Sequence, residues 1–180
     1  MAPQYAYPDA DVSVGAWTTD DGSSDRFAAI NEAPTDDSDY ISVTDDTSDT
    51  SFPITFSLSS VTDPSSGADH SVVVRAYMEM ADGSQNLNVH LKDGSTSIKN
   101  EDFTIQDSLT NHTMDLSTAQ ANNISGSGYG NLTLILTSYD ASMSGGETIV
   151  TQAYFACPGA SGGGSSAKIP ITLFINGMST

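Results

Sequence analysis

Basic side chains are scarce in this sequence. Five Lys and Arg stand against 23 Asp and Glu, which gives the 180-residue chain a formal net charge of −18. A chain of this charge is repelled by phosphate groups, so we expect no direct binding to nucleic acid and none to an anionic membrane surface. Residues 1–70 hold 14 of the acids and a single base, Arg26. This distribution is typical of a protein that is kept soluble by its charge or is adapted to saline surroundings. The alternative is an acidic N-terminal face that binds a basic partner or cations.

Cysteine is nearly absent as well. Cys157, the one cysteine, cannot form an internal disulfide, so we expect a fold that does not depend on oxidation. The first residues lack the basic patch and apolar run of a signal peptide, and no run of about 18 apolar residues occurs. We therefore expect synthesis and folding in a cytoplasm, and no segment that spans a membrane.

Helical patterns of core-building length are missing, whereas two-residue alternation of apolar and polar side chains recurs along the chain. Such alternation is typical of antiparallel strands with one buried face. Asp82-Gly83 and Asp93-Gly94 supply the positive φ angles that tight hairpins need. The pattern predicts strands at 11–17, 39–43, 52–58, 71–80, 86–92, 101–106, 111–116, 131–139, 147–157 and 168–176.

These strands predict an all-β protein with a single antiparallel β-sandwich, jelly-roll-like in topology. Two short helices are expected in loops, at 24–32 and 117–124. Residues 1–10 carry two prolines and two tyrosines without any period, which indicates an N-terminal arm. The arm either packs along its own domain or reaches a neighbour, and residues 11–180 form the sandwich domain.

A constellation for catalysis is not evident. His70, His90 and His112 are far apart in the sequence, and Cys157 precedes a proline without a basic neighbour. Paired carboxylates for glycoside hydrolysis would have to come from acids in Ser/Thr/Gly-rich loops, where solvated carboxylates are the ordinary finding. We therefore expect a protein that is not an enzyme and that has no cofactor.

Calcium is the one cofactor that the acids favour, because it prefers carboxylates and carbonyls of loops. Two acidic runs are candidate ligand sets, and their carboxylates are those of Asp36, Asp37, Asp39, Asp45, Asp46 and Asp49. Neither run has the twelve-residue pattern of an EF-hand.

Aromatic side chains suggest a different surface. The candidates for a sugar-binding platform are Trp17, Tyr40, Tyr77, Tyr129 and Tyr139, since β-sandwiches often carry one. Trp17 and Tyr129 are the two residues whose substitution would test it. A core position is the alternative for Trp17, as aromatic side chains on strand patterns usually pack inside.

Several stretches resemble a known kind of protein. They are Pro8–Trp17, Ile30–Glu32, Asp36–Ile41, Val61–Pro64, Asp69-His70 and Val72–Tyr77. Over residues 8–139 the chain resembles a β-sandwich domain of virion proteins of tailed bacteriophages, of the capsid decoration (cement) type. The likeness is one of strands and turns and has no catalytic signature.

The resemblance implies a decoration protein that binds the outer surface of the major capsid protein shell and stabilises the head. It also implies a homo-oligomer, with a trimer favoured, that is made in the bacterial host cytoplasm. The residues expected to contact the partner are those of the N-terminal arm: Ala2, Pro3, Gln4, Tyr5, Tyr7 and Pro8. The alternative function is a carbohydrate-binding or host-attachment module of a head or tail fibre.

Overall fold

A computed structural model describes residues 2–33, 35–44, 51–79, 85–140 and 146–160. These residues form two antiparallel sheets that pack face to face. The strands are β1 (Gln4–Ala6), β2 (Pro8–Ser13), β3 (Thr18–Thr19), β4 (Ile41–Thr44), β5 (Ser51–Leu58), β6 (His70–Glu79), β7 (Gln85–Asp93), β8 (Thr96–Ile105), β9 (Thr110–Leu116), β10 (Leu132–Asp140) and β11 (Glu147–Cys157).

The strand order is that of a jelly roll. Sheet A has the order β3-β4-β11-β6-β9, with β1 also paired to β11, and sheet B has the order β2-β5-β10-β7-β8. Successive strands from β4 onward repeatedly cross from one sheet to the other, which is how a jelly roll closes over its core. The predicted fold class is therefore confirmed.

Alternation along the strands places the core between the two sheets. In sheet B, Leu134 lies between Phe56 and Leu91 on the neighbouring strands, and all three side chains are fully buried. Sheet A supplies Val72, Val74 and Phe155 to the same core. Since every second residue of a strand points inward, the intervening residues form the two outer faces of the sandwich.

A buried polar bridge joins the sheets at one end. Gln85 of β7 donates from Nε2 to the carbonyl oxygen of Gly146 (2.9 Å), and its Oε1 accepts from the Thr148 hydroxyl. The hydroxyl of Ser138 on β10 is 2.7 Å from that of Thr148 on β11. All three side chains are fully buried, and these mutual hydrogen bonds offset the cost of removing them from water.

Part of the outer face of sheet A is covered by the segment between β3 and β4. The Arg75 guanidinium holds the Asp37 carboxylate with two bonds of 2.7 and 2.8 Å, and the Thr151 hydroxyl donates to the same carboxylate. The amide of Ala153 also donates to the carbonyl oxygen of Ile30. These bonds attach the segment to β6 and β11.

The arm and the helices differ in detail from the sequence predictions. Residues 4–6 pair with β11 and residues 8–13 with β5, so the segment packs along its own domain, which is one of the two arrangements left open. The first helix is a single 3₁₀ turn at Arg26–Ala29, and the second is α1 (Thr118–Ala121), where Ser117 and Gln120 form a capping box. A further 3₁₀ turn spans Gly128–Gly130.

Strand bounds also differ. β2 ends at Ser13 and not at Trp17, because the chain turns at Gly15, whose φ of +55° and close approach to the Pro53 carbonyl admit no side chain. Gly94 forms the predicted turn between β7 and β8 with a φ of +53°. The predicted turn at Asp82-Gly83 and the predicted strand 168–176 lie outside the described residues. Within the described part of the chain, the helices are all too short to cross a membrane.

One histidine is fixed by two hydrogen bonds in the interior. His70 Nδ1 is 2.8 Å from the carbonyl oxygen of Ala68, so Nδ1 carries the proton and Nε2 accepts from the Tyr129 hydroxyl at 2.7 Å. Both rings are buried beside Phe155. Burial lowers the pKa of His70 and raises that of Tyr129 to about 12.

We expect Tyr129→Phe to lower the free energy of unfolding by about 1–3 kcal/mol, because it leaves the buried Nε2 without a donor. Urea denaturation measures this loss. Tyr139→Phe, at a half-buried tyrosine of sheet B, is the matched control and should cost less. Tyr139 loses a hydrogen bond to Asp102 near the surface, so equal losses in the two variants would contradict the added cost of leaving the buried His70 Nε2 without a donor.

The same pair predicts sensitivity to acid. Because the pKa of His70 is lower in the folded chain than the usual value of about 6.5, the unfolded chain takes up the proton more readily. The contribution of His70 to stability is complete above about pH 6.5 and is lost as the pH falls through the pKa of the folded state. A free energy of unfolding that stays constant between pH 7 and pH 5 would contradict this.

Candidate functional site

The outer face of sheet B presents four rows of side chains across four neighbouring strands. The strand register aligns each row over β5, β10, β7 and β8. We call this surface the polar face; its rows are Ser57–Thr133–Lys92–Ser97, Thr55–Ile135–His90–Asn100, Pro53–Thr137–Asn88–Asp102 and Ser51–Tyr139–Asn86–Thr104. Neighbouring strands lie about 4.8 Å apart, so the rows form a regular grid on a rigid backbone.

The polar face is rich in groups that both donate and accept hydrogen bonds. Asn88 donates to Asp102 Oδ1 at 2.7 Å, and Thr104 donates to Asn86 Oδ1 at 3.4 Å. Partial burial, together with a hydrogen bond to the Asp102 carboxylate, raises the pKa of Tyr139. Asn88, Asp102 and Tyr139 therefore form one connected group that runs from β10 to the edge strand β8.

The charge of the polar face differs from that of the chain. One carboxylate, Asp102, and one base, Lys92, occur among its sixteen positions, whereas the chain carries −18. His90 has its pKa lowered by partial burial and by the nearby charge of Lys92, so this imidazole is neutral at pH 7. The charges of these sixteen positions cancel, and the Asp9 carboxylate of the adjoining edge strand β2 accepts a hydrogen bond from Ser57 at 2.6 Å.

Of the five aromatic residues predicted for sugar stacking, Tyr139 lies on the polar face, whereas Trp17 and Tyr129 lie in the interior. Trp17 is 1% exposed and its indole donates to the carbonyl oxygen of Phe52, while Tyr129 is 4% exposed and bonded to His70. Neither ring offers a face to a ligand, so both candidates are wrong as a platform, and the core position weighed for Trp17 is confirmed. Aromatic side chains of a sandwich pack inside when they fall on its inward positions.

The predicted partner-contact residues form an edge of the sandwich. Gln4 is half-buried, and its side chain bonds to Thr62 at both the main-chain amide and carbonyl, at 2.9 and 2.8 Å. Ala2, Pro3 and Tyr5 are exposed, Tyr7 is half-buried and Pro8 is buried. Contact with a partner through this segment stays a prediction.

The calcium candidates divide into three groups. Asp45, Asp46 and Asp49 lie outside the described residues. Asp37 is held by Arg75 and Thr151, and this ion pair lowers its pKa. Asp36 and Asp39 approach Glu32, and oxygens of the three carboxylates lie within 4.8 Å of one another.

Sequence reasoning missed Glu32 in this cluster, since the glutamate belongs to the segment assigned to a helix. Desolvation and the charges of Asp39 and Asp36 raise the pKa of Glu32. Asp39 also lines a cleft of about 120 Å³ with Asp20, Asp21 and Asp25. Carboxylate clusters of this kind are common on acidic surfaces without an ion, so calcium binding stays a prediction of the sequence.

The groups considered for catalysis are dispersed. His70 is buried with Tyr129, His90 lies 2.8 Å from the Ser97 hydroxyl on sheet B, and His112 is 3.1 Å from the Thr110 hydroxyl on β9. Cys157 is buried, and desolvation raises the pKa of its thiol to about 11. A thiol with that pKa is almost wholly protonated at neutral pH and is a poor nucleophile.

Comparison with known proteins yields little. No family model matches the chain, and no curated protein matches it. Among solved structures, the chain is similar to TmCBM61 in complex with beta-1,4-galactotriose, with a TM-score of 0.43, 9% identity, and coverage of 85% of this chain and 86% of that chain. A likeness this weak carries no information about ligands.

The calcium prediction has a direct test at the Glu32–Asp36–Asp39 cluster. If the cluster binds the ion, about 1 mM Ca²⁺ raises the Tm above its value in EGTA, because the ion binds the folded chain only. Asp39→Asn should abolish that rise, whereas Asp102→Asn on the opposite sheet should retain it. A Tm that is the same in calcium and in EGTA removes the prediction.

Proposed function

We propose that this chain is a non-enzymatic binding module that holds a neutral carbohydrate on its polar face. The observation that carries the proposal is the grid of hydrogen-bonding side chains on the outer face of sheet B, where few charges occur although the chain has a net charge of −18. Charged surfaces hold water strongly, whereas amides and hydroxyls exchange their water for a ligand at lower cost.

The side chains of the polar face match the chemistry of sugar hydroxyls. A hydroxyl donates one hydrogen bond and accepts two, and Asn86, Asn88 and Asn100 each offer both donors and acceptors. Asp102 adds an acceptor of greater strength because it is ionised. Ile135 and Tyr139 supply apolar surface for the C–H faces of a sugar ring.

The rigidity of the site favours binding. The side chains project from four hydrogen-bonded strands, so little backbone entropy is lost when a ligand binds. An extended ligand that lies across the strands meets a new polar side chain at each step of about 4.8 Å.

Binding of the purified protein to a glycan array tests the proposal, and we expect binding to neutral glycans. Asn88→Ala and Tyr139→Ala should each weaken the affinity about fivefold or more, since each removes hydrogen bonds worth about 1 kcal/mol. Thr113→Ala, an exposed residue on the outer face of sheet A, is the matched control. Because the ligand is neutral, the affinity should change little between 50 and 500 mM salt.

Two outcomes would overturn this proposal. One is an array without binding to any neutral glycan. The other is self-association that Tyr139→Ala abolishes, as measured by sedimentation, because the polar face would then be covered by a second copy of the chain.

A second candidate function is that of a bacteriophage capsid decoration protein, which the resemblance over residues 8–139 implies. One observation favours it. The large apolar side chains that are exposed among the described residues are Tyr5 (46%) and Val12 (63%), and both belong to the N-terminal strands. Contact with a partner through these strands would remove this apolar surface from water. In this proposal the N-terminal segment contacts the major capsid protein on the outer capsid surface, as part of a homo-oligomer with a trimer favoured.

Virions that lack this protein should release their DNA at a lower temperature than complete virions, because a cementing protein must be detached at several contacts before capsomers separate. DNA release on heating measures this. Complementation with Val12→Ser should restore less heat resistance than complementation with Thr113→Ala. Heat resistance that is unchanged without the protein would contradict cementing.

A further inference from the structure

A cluster of three tyrosines lies on the outer face of sheet A, opposite the polar face. The ring of Tyr5 on β1 stands edge-on to that of Tyr154 on β11, with centroids 5.5 Å apart and an interplanar angle of 84°. Tyr7 lies 5.6 Å from Tyr154 and 6.4 Å from Tyr5. The cluster is half-buried and reaches solvent chiefly through Tyr5.

Two clefts open beside the cluster, and Asp69 lines both. The first cleft, of about 240 Å³, lies between Asp69 and Tyr5 and is bordered by Ala156 and Pro158. The second, of about 420 Å³, lies between Asp69 and Asp115. Asp69 precedes β6 in the left-handed region (φ +55°), and both carboxylates belong to exposed residues. Tyr5, Tyr7, Tyr154, Asp69 and Asp115 together form what we call the tyrosine–aspartate surface.

No base of the described chain pairs with either carboxylate of this surface. The ion pairs of the described residues are Arg75 with Asp37 and Lys99 with Glu101. The Lys99 ammonium donates a hydrogen bond to the main-chain carbonyl oxygen of Asp115, at 2.7 Å. Among the described residues, the Asp69 carboxylate therefore lies beside the aromatic rings without a base bonded to it, whereas Asp115 has Lys99 near its main chain.

We propose that the tyrosine–aspartate surface binds an arginine side chain of a partner protein. A guanidinium in the first cleft would place its N–H groups toward the Asp69 carboxylate and its planar face against Tyr5. Arginine suits the cleft better than lysine, since the guanidinium is planar, stacks on aromatic rings and is weakly hydrated. The arginine comes from another protein and not from a second copy, because both arginines of this chain, Arg26 and Arg75, already donate hydrogen bonds within it. This inference is independent of the carbohydrate proposal.

The test uses the full chain and two peptide probes of equal charge, hexa-arginine and hexa-lysine, with affinities measured by calorimetry at about 100 mM salt. We expect hexa-arginine to bind several-fold more tightly. Asp69→Asn should weaken hexa-arginine binding about fivefold, in line with the loss of one partly exposed ion pair. Asparagine also tolerates a positive φ, so this variant keeps the fold.

Matched variants separate the site from the general charge of the chain. Asp107→Asn removes one charge from an exposed loop before β9, at the other end of that strand from Asp115, and should change the affinity little. Tyr5→Ala should weaken binding of hexa-arginine, while Tyr5→Phe, which keeps the ring, should preserve it. Equal affinity for both peptides, or equal loss in Asp69→Asn and Asp107→Asn, would overturn the proposal.

Discussion

Burial of one side of every strand between the two sheets is the constraint on which the rest of this structure depends. β10 and β11 each run through the middle of a sheet, and their inward residues, such as Leu134 and Phe155, are fully buried. Because inward and outward positions alternate, the same residues that fix the core also fix which side chains reach each outer face. The backbone positions of the two outer faces are therefore determined by the core beneath them.

The two outer faces differ in chemistry in ways that suit different partners. The polar face of sheet B consists mainly of amides and hydroxyls, with Asn88, Asp102 and Tyr139 connected by hydrogen bonds toward its β8 edge. The outer face of sheet A is partly covered by the segment that Asp37 and Arg75 attach, and elsewhere exposes tyrosines beside carboxylates. A protein with two such faces can bind a partner through one and present the other to a ligand. On this arrangement the carbohydrate-binding and capsid-decoration proposals are compatible.

The core and the fold class could be predicted from the sequence because both depend on local alternation. The inward residues of β5, β7 and β10 follow the two-residue period, and their burial agrees with it. Val12 is an exception: it fits the pattern of an inward residue yet is 63% exposed, since β2 is an edge strand with two register shifts against β5. Local alternation does not reveal such irregularities at an edge.

The candidate sites could not be predicted in the same way, because each joins residues that are distant in the sequence. The registers of β10 with β7 and of β7 with β8 bring Asp102 and Tyr139 together. The pairing of β1 with β11 brings Tyr5 and Tyr154 together. Register depends on the turns and on the packing of the whole sheet. The sequence drew attention to Trp17 and Tyr129 as aromatic residues, but only the fold shows that their rings are inside.

The most direct test of the binding surface is an NMR titration of the isotopically labelled protein with a pool of neutral oligosaccharides. If the polar face holds the ligand, the side-chain amide signals of Asn86, Asn88 and Asn100 and the ring signals of Tyr139 shift together with the concentration of the sugar. Signals of Tyr5 and Tyr154, on the opposite face, should stay in place. Shifts that fall outside the four rows of sheet B, or no shifts at all, would contradict the assignment of this face as the carbohydrate-binding surface.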